Sequence, residues 1–141
     1  MPTWFRTLAA TALALALAAG AAAAAAPKGD ARVGATIYER CAACHALAYD
    51  RTGPHHCGLV GRRAGSVEGF AYSDAMKRSG IVWNARTLDH FLANPLAVVP
   101  GTSMGYAGVT DPGERADLIA YLVGASNAPP CAGPPLTRGA P

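Results

Sequence analysis

The 141-residue sequence predicts a single small all-α domain. Asp111-Pro112-Gly113-Glu114 has the order of a helix start: an N-cap acceptor, then proline at the first helical position and glutamate at the third. No segment alternates apolar and polar residues in the manner of a half-buried strand. Residues 46–72 contain too many glycines and prolines for a regular element. We therefore expect helices joined by long loops.

Residues 1–26 have the order of a secretory signal peptide. Met1–Arg6 carries one positive charge, residues 8–19 are apolar, and residues 20–26 are small. We expect cleavage near the end of this segment and export to the periplasm. An uncleaved anchor is the alternative, because the alanines bring the apolar run close to the ~20 residues that a membrane span needs.

Beyond the signal, we expect one domain at 27–127 and a proline-rich, irregular tail at 128–141. The formal net charge of +3 is small and no basic run is present, so nucleic acid is not expected as a partner. No second apolar span follows the signal. A soluble monomer without stable membrane insertion is therefore predicted for the mature chain.

The first predicted helix is capped by Asp30 and runs through Arg40. We place Val33, Ile37 and Tyr38 on one of its faces. Gly34, which has no side chain, allows another element to approach this helix closely.

Three further helices are predicted after the glycine-rich loop. A short helix covers residues 73–78, and another runs over residues 87–93 until Pro95 stops it. The last helix continues to Val123, and Gly124 ends it. Its buried face is predicted to carry Leu118, Ile119 and Leu122.

Cys41-Ala42-Ala43-Cys44-His45 is the pentapeptide of covalent haem attachment. Two thiols on one helical turn can add to the two vinyl groups of one haem edge, and the histidine then binds the iron as the proximal ligand. A Cys-x-x-Cys pair alone is also typical of zinc sites and redox dithiols. The histidine that follows, on a chain with an export signal, favours one covalent haem c.

Met104 is the predicted sixth ligand of the iron, because it lies in the turn-rich segment 100–105, well beyond His45 in sequence. Met76 lies in a predicted helix and is interpreted as a core residue. Three histidines remain as possible competitors, of which His90 is more simply read as an exposed polar residue: His55, His56 and His90.

A domain of this size with about four helices buries little apolar surface of its own. A haem inside it would supply the missing core, with the loops wrapped around it. We therefore expect the protein without haem to be largely unfolded.

Several ordered motifs show that residues 29–123 resemble the class I cytochromes c, and within them the mitochondrial-like bacterial cytochromes c2. Besides the attachment pentapeptide, the motifs are Gly53-Pro54, Gly58-Leu59-Val60-Gly61-Arg62, Gly69-Phe70-Ala71-Tyr72-Ser73-Asp74-Ala75, Ser79-Gly80-Ile81-Val82-Trp83, Pro100-Gly101-Thr102-Ser103-Met104 and Glu114-Arg115-Ala116-Asp117-Leu118-Ile119-Ala120-Tyr121-Leu122.

The resemblance implies the cytochrome c fold, with about four to five helices and long loops around one covalently bound haem. It implies that the first and last helices cross where Gly34 and Tyr38 meet Leu118 and Tyr121. It also implies a hydrogen bond from His45 to the Pro54 carbonyl, which would orient the imidazole. Four residues would hydrogen-bond or neutralise the haem propionates: Arg62, Tyr72, Trp83 and Thr102.

The chain departs from the mitochondrial pattern in its haem pocket and on its surface. Phe91 replaces a tyrosine that donates to the methionine sulfur, and Met76 replaces an asparagine that contacts a buried water. Leu96, Ala97 and Ser103 occupy positions of the lysine ring, so docking on a strongly acidic partner is less secure than the fold.

Cys57 and Cys131 have no counterpart in the mitochondrial pattern. If haem uses the other two cysteines, this pair is either free or joined. Because an exported chain folds under oxidising conditions, we expect a disulfide between them.

A one-electron carrier, rather than an enzyme, is the function that a haem with two protein ligands favours, since no position on the iron is left for a substrate. Its partners would be respiratory or photosynthetic redox complexes that act as electron donor and acceptor. Two alternatives remain: a cytochrome subunit of a dehydrogenase or oxidase complex, and a small haem peroxidase with an open sixth position.

Overall fold

The computed structural model describes residues 28–131, so the predicted signal peptide and most of the predicted tail lie outside it. The described chain is all-α, as predicted, and within it the only strand-like pairing is an isolated bridge between Arg63 and Val82. It has five α-helices and a final 3-10 turn: α1 Ala31–Ala42, α2 Asp74–Arg78, α3 Ala85–Ala93, α4 Pro95–Val98, α5 Pro112–Ala125 and the turn Pro129–Cys131.

Helix α1 begins where predicted, since the Asp30 side chain accepts a hydrogen bond of 2.8 Å from the Arg32 backbone. It continues two residues beyond the predicted end at Arg40, so that Cys41 lies in its last turn. Of the three residues placed on one face, Ile37 and Tyr38 are buried, whereas Val33 is 46% exposed. The buried stripe, which faces α5, consists of Gly34, Ile37 and Tyr38.

Helices α1 and α5 cross at close range. A side chain at Gly34 would overlap the Asp117 carbonyl and the Tyr121 side chain, so glycine is what allows the two backbones to approach. The rings of Tyr38 and Tyr121 lie 5.1 Å apart, and Leu118 is completely buried. The predicted crossing is therefore confirmed.

Helix α3 begins at Ala85, two residues before the predicted start at Thr87. The reason is a capping box in which the Thr87 backbone donates to Asn84 at 3.0 Å and the Asn84 backbone donates to Thr87 at 2.9 Å. Pro95 follows the end of α3 but also begins α4, a short helix that was not predicted. Proline suits the first position of a helix, where its missing N–H has no partner to lose.

Helix α5 is capped as predicted, with the Asp111 side chain accepting from the Glu114 backbone at 2.8 Å. It does not end at Gly124 but continues to Ala125. Tertiary contacts hold this last turn, because the carbonyl of buried Ser126 accepts from Gly58 and its hydroxyl accepts from Val60.

Residues 46–72 form the predicted long loop, which is fastened along its length to other segments. The Trp83 backbone donates to the Arg62 carbonyl at 3.0 Å, and the Ala64 backbone donates to the Ile81 carbonyl at 2.8 Å. These bonds hold the loop against the segment between α2 and α3.

The chain just beyond α5 is ordered, in contrast to the irregular tail predicted from residue 128. Pro129–Cys131 form a 3-10 turn that places Cys131 beside Cys57, with their Cα atoms 5.1 Å apart, a distance that suits the predicted disulfide. Within residues 28–131, no helix combines the length and the apolarity that crossing a bilayer requires.

Candidate haem site

A cavity of about 550 Å³ occupies the centre of the domain. It lies where a domain of this size would otherwise have a solid core, and its walls are mainly apolar. The loop 46–72, α1, α3, α5 and the segment around Met104 all contribute to it. The large apolar side chains on its walls are Leu59, Phe70, Met76, Leu88, Phe91, Leu92, Leu118 and Leu122.

Two cysteines line the cavity, and they are those of the attachment motif. Cys41 lies in the last turn of α1 and Cys44 follows in a tight turn, in which the Cys44 and His45 backbones donate to the Cys41 carbonyl at 3.0 and 2.9 Å. Burial raises the pKa of the Cys41 thiol, although the nearby Arg40 opposes this. Neither cysteine is paired with another cysteine, whereas Cys57 and Cys131 lie outside the cavity wall.

His45 has one ring nitrogen occupied and the other available. Its Nδ1 lies 2.7 Å from the Pro54 carbonyl, which can only accept, so Nδ1 carries the proton and Nε2 keeps its lone pair. Burial lowers the pKa of His45, against the effect of the Pro54 hydrogen bond, and so favours the neutral ring that a metal binds. A side chain at Gly53 would overlap this ring, so glycine lets the loop pass beside it.

Met104 and Met76 both line the cavity. Met104 is presented by a turn in which its backbone donates to the Thr102 hydroxyl at 3.2 Å and the Thr102 backbone donates to the Val99 carbonyl at 2.9 Å. Met76 is 8% exposed on α2, in agreement with its interpretation as a core residue.

The three histidines considered as competitors occupy different places. His90 is exposed on α3 and outside the cavity wall, and His55 lies 2.6 Å from the Asp50 carboxylate. His56 lines the cavity, and its ring stacks on that of His45. Burial lowers the pKa of His56 to about 3, with the neighbouring His45 and Arg62 acting in the same direction, so the ring is neutral. Sequence reasoning missed this stack, because a histidine at this position has no motif that predicts its contacts.

The four residues predicted to contact propionates all lie on the cavity wall: Arg62, Tyr72, Trp83 and Thr102. The two terminal nitrogens of Arg62 donate to the carbonyls of Cys57 and His55 at 2.8 and 2.7 Å, which holds its positive charge against the wall. Burial raises the pKa of Tyr72, with Arg62 opposing, so the phenol keeps its proton as a donor.

The residues that depart from the mitochondrial pattern lie in the cavity and on the surface. Phe91 is 4% exposed and packs on Trp83 with ring centroids 5.1 Å apart, so an apolar ring replaces a hydroxyl inside the cavity. Leu96 is 48% exposed on α4, and Ala97 and Ser103 are also exposed. An uncharged surface therefore stands at these three lysine-type positions.

The donor set fits a haem. One wall presents two thiols and an imidazole nitrogen, a loop presents a thioether, and apolar side chains fill most of the remaining wall. The few polar groups are hydrogen-bond donors, which suit the carboxylates of the macrocycle. Among residues 28–131, no fully buried side-chain nitrogen or oxygen lacks a hydrogen-bond partner.

Comparison with known proteins identifies the same family. The family model described as cytochrome c matches residues 31–126. Cytochrome c2 of Rhodomicrobium vannielii is 47% identical over 97 residues, which cover 67% of this chain and 78% of the relative. Cytochrome c of Tetrahymena pyriformis is 52% identical over 98 residues, or 68% of this chain and 89% of that one.

The structure of cytochrome cH from Methylobacterium extorquens superimposes with a TM-score of 0.66 at 43% identity. The matched region covers 67% of this chain and 98% of that one. Together with the attachment motif on the wall of the cavity, these likenesses establish a protein that carries one covalent haem c and transfers electrons instead of converting a substrate. The chain therefore belongs to the cytochrome c family, as a class I c-type cytochrome.

Proposed function

We propose that this cytochrome is a soluble, monomeric one-electron carrier whose iron is bound by His45 and Met104. The observation that carries this proposal is that both side chains line one cavity from separate loops, while the Pro54 hydrogen bond leaves His45 Nε2 free. With both axial positions filled, no site remains for a substrate.

The bound haem supplies one reversible oxidation step of its iron. Cys41 and Cys44 would hold it by two covalent bonds, and Arg62, Tyr72, Trp83 and Thr102 would hydrogen-bond or neutralise its carboxylates. The apolar walls would exclude water, so that few dipoles would need to reorient when the charge changes. The Pro54 carbonyl, as acceptor, holds the His45 proton on Nδ1.

Export to the periplasm is part of the proposal, with membrane-bound respiratory or photosynthetic complexes as electron donor and acceptor. The signal-like order of residues 1–26 supports export. The exposed, uncharged Leu96, Ala97 and Ser103 support docking that depends less on charge than docking through a lysine ring does. A subunit of a larger redox complex is the alternative that this surface favours.

Replacement of Met104 with alanine tests the ligation. Oxidised wild-type protein should show the weak sulfur-to-iron absorption near the red edge of the visible spectrum. The Met104→Ala protein should lose this absorption, and its reduced form should bind carbon monoxide.

Met76→Leu is the matched control, because Met76 lines the same cavity. This variant should keep the absorption and remain closed to carbon monoxide. If Met76→Leu loses the absorption while Met104→Ala keeps it, the proposed ligand is wrong. A wild-type protein that binds carbon monoxide readily would instead support the peroxidase alternative.

A further inference from the structure

The ring of His56 lies flat against the ring of His45. The two centroids are 4.4 Å apart and the planes are inclined by 20°. His56 also lines the central cavity and is partly buried. A second imidazole therefore covers one face of the histidine proposed to bind the iron.

His56 is itself held from two directions. The Tyr38 hydroxyl lies 3.0 Å from His56 Nδ1, and the two rings meet edge to face at 5.6 Å. The His56 backbone donates to the carbonyls of Ala46 and Leu47 at 3.1 Å, which fixes the loop beside the segment that follows His45. The stack is thus anchored both to α1, through Tyr38, and to the attachment segment.

The hydrogen bond between His45 and Pro54 does not by itself fix the plane of the His45 ring. The Pro54 hydrogen bond fixes the position of Nδ1 at 2.7 Å but allows the ring to turn about the axis of that bond. A flat ring stacked on one face resists this turn, because rotation would push the two rings into overlap. An aliphatic side chain would fill the same space without presenting a plane.

We propose that His56 is a positioning residue, which sets the plane of the His45 imidazole and places a polar ring beside it. The proposal rests on the proposed role of His45 as iron ligand. The plane of an axial imidazole determines how its π electrons overlap with the iron orbitals, and so how unpaired spin is distributed over the four haem edges. Partners outside the coordination sphere are known to tune a metal in this manner.

The polarity of His56 has a separate consequence. The oxidised site carries one more positive charge than the reduced site, and a polar neighbour stabilises that charge better than a hydrocarbon does. An apolar side chain in place of His56 should therefore raise the reduction potential. Orientation and polarity can be separated, because phenylalanine keeps a flat ring and loses the nitrogens.

The test compares three variants of the complete haem-loaded protein: His56→Leu, His56→Phe and the control His90→Leu. His90 is an exposed histidine outside the cavity wall. The measurements are the proton NMR shifts of the haem methyl groups in the oxidised protein and the reduction potential. His56→Leu should change the order or spread of the methyl shifts and raise the potential. His56→Phe should keep the wild-type order and still raise the potential, and His90→Leu should change neither.

Two outcomes would overturn the proposal. One is a folded His56→Leu protein with wild-type methyl shifts and potential, altered only in its unfolding temperature, since His56 would then only fill space. The other is a folded His56→Phe protein that loses the wild-type order of methyl shifts, since a flat ring at position 56 would then not be what orients His45. If His56→Leu does not fold, the His56→Phe variant alone decides the question. The red-edge absorption of Met104 is followed in every sample. If the wild type lacks this absorption, the proposed function is wrong. If the absorption is present but the methyl shifts of the His56 variants are unchanged, only the proposed role of His56 is wrong.

Discussion

At the scale of single residues, the cavity differs from the mitochondrial pattern mainly in polar atoms that are missing. Phe91 and Met76 both lie on the wall, and both are buried. The methionine sulfur therefore has no hydroxyl donor at position 91. Without such a donor the sulfur keeps more electron density for the oxidised iron, which favours the oxidised form.

Phe91→Tyr should raise the reduction potential. The added hydroxyl can donate to the Met104 sulfur, and withdrawing electron density disfavours the oxidised iron. A neutral hydrogen bond contributes about 1 kcal/mol, which for one electron corresponds to a rise of at most about 40 mV. Redox titration measures the shift, and Phe91→Leu, which adds no donor, is the control. An unchanged or lower potential in Phe91→Tyr would contradict the argument.

Residues that belong to a local motif could be predicted from the sequence. Cys41, Cys44 and His45 are adjacent on the chain, and the Pro54 carbonyl lies a short loop away, so their arrangement needs little of the fold. The stack of His56 on His45 could not be predicted in this way. It depends on Tyr38, which reaches His56 only when α1 and the loop are packed together.

At the scale of elements, the crossing of α1 and α5 depends on one small residue. A methyl group at Gly34 would meet backbone atoms of Asp117, which cannot move without shifting α5. Added volume in a well-packed contact typically costs about 1–3 kcal/mol. We therefore expect Gly34→Ala to lower the free energy of unfolding of the haem-loaded protein by about this amount.

Gly124→Ala is the matched control within α5. Nothing lies within 4 Å of the position of its missing side chain, and the residue is inside the helix. Alanine favours a helix over glycine by up to ~1 kcal/mol, so this variant should be as stable as the wild type or more stable. Guanidinium unfolding measures both variants. A Gly34→Ala protein as stable as Gly124→Ala would show that the crossing is not tight.

The two crossing helices are also joined by an ion pair that should make stability depend on pH. Arg40 on α1 donates to both oxygens of Glu114 on α5, at 2.9 and 3.0 Å. These hydrogen bonds lower the pKa of Glu114 from its ordinary value of 4.5. The stabilisation is therefore present in full well above pH 4.5 and is lost as the pH falls through the lowered pKa of the folded state.

Glu114→Gln should lower the unfolding temperature at neutral pH by a small amount, because both side chains are about half exposed. The difference from the wild type should shrink below pH 4.5, where the wild type also loses its charge. Glu39→Gln, at an exposed carboxylate of α1, is the control and should show no such convergence. A Glu114→Gln deficit that persists at low pH would mean that the charge of Glu114 is not responsible.

Helix ends were predicted correctly where a capping side chain sets them, and less accurately where tertiary contacts set them. Asp30 and Asp111 cap α1 and α5 as expected. The end of α5 was placed at Gly124 because glycine commonly stops a helix. The helix instead continues to Ala125, because hydrogen bonds from the loop to Ser126 hold its last turn. The start of α3 was predicted at Thr87, two residues late, whereas Asn84 is the cap and Thr87 bonds to it from the third helical position.

At the scale of the whole molecule, the predicted disulfide between Cys57 and Cys131 would connect residues that are 74 positions apart in the sequence. It would tie the turn after α5 to the loop that carries His55, His56 and Arg62. A cross-link of this span restricts the unfolded chain by about 4 kcal/mol in the chain-entropy description.

The double variant Cys57→Ser, Cys131→Ser should therefore unfold at lower denaturant concentration than the wild type and lose up to about 4 kcal/mol of stability. Changing both residues avoids leaving a reactive thiol. Thiol labelling of denatured, unreduced wild-type protein is the independent measurement. Two reactive thiols per chain, or equal stability of the double variant and the wild type, would contradict the prediction.

The central cavity also constrains the order in which the chain matures. Four thiols can pair in three ways, and Cys41 and Cys44 are the closest in sequence, so oxidation before haem arrives would favour a bond that blocks attachment. Cys57 and Cys131 meet only after α5 has packed on α1 and the loop has closed over the cavity. If that packing needs the haem as its centre, as the size of the domain leads us to expect, haem attachment comes first and formation of the predicted disulfide second. Presence of the Cys57–Cys131 bond would then mark a chain that has already received its haem, whereas a chain without haem would keep its cysteines mispaired or reduced.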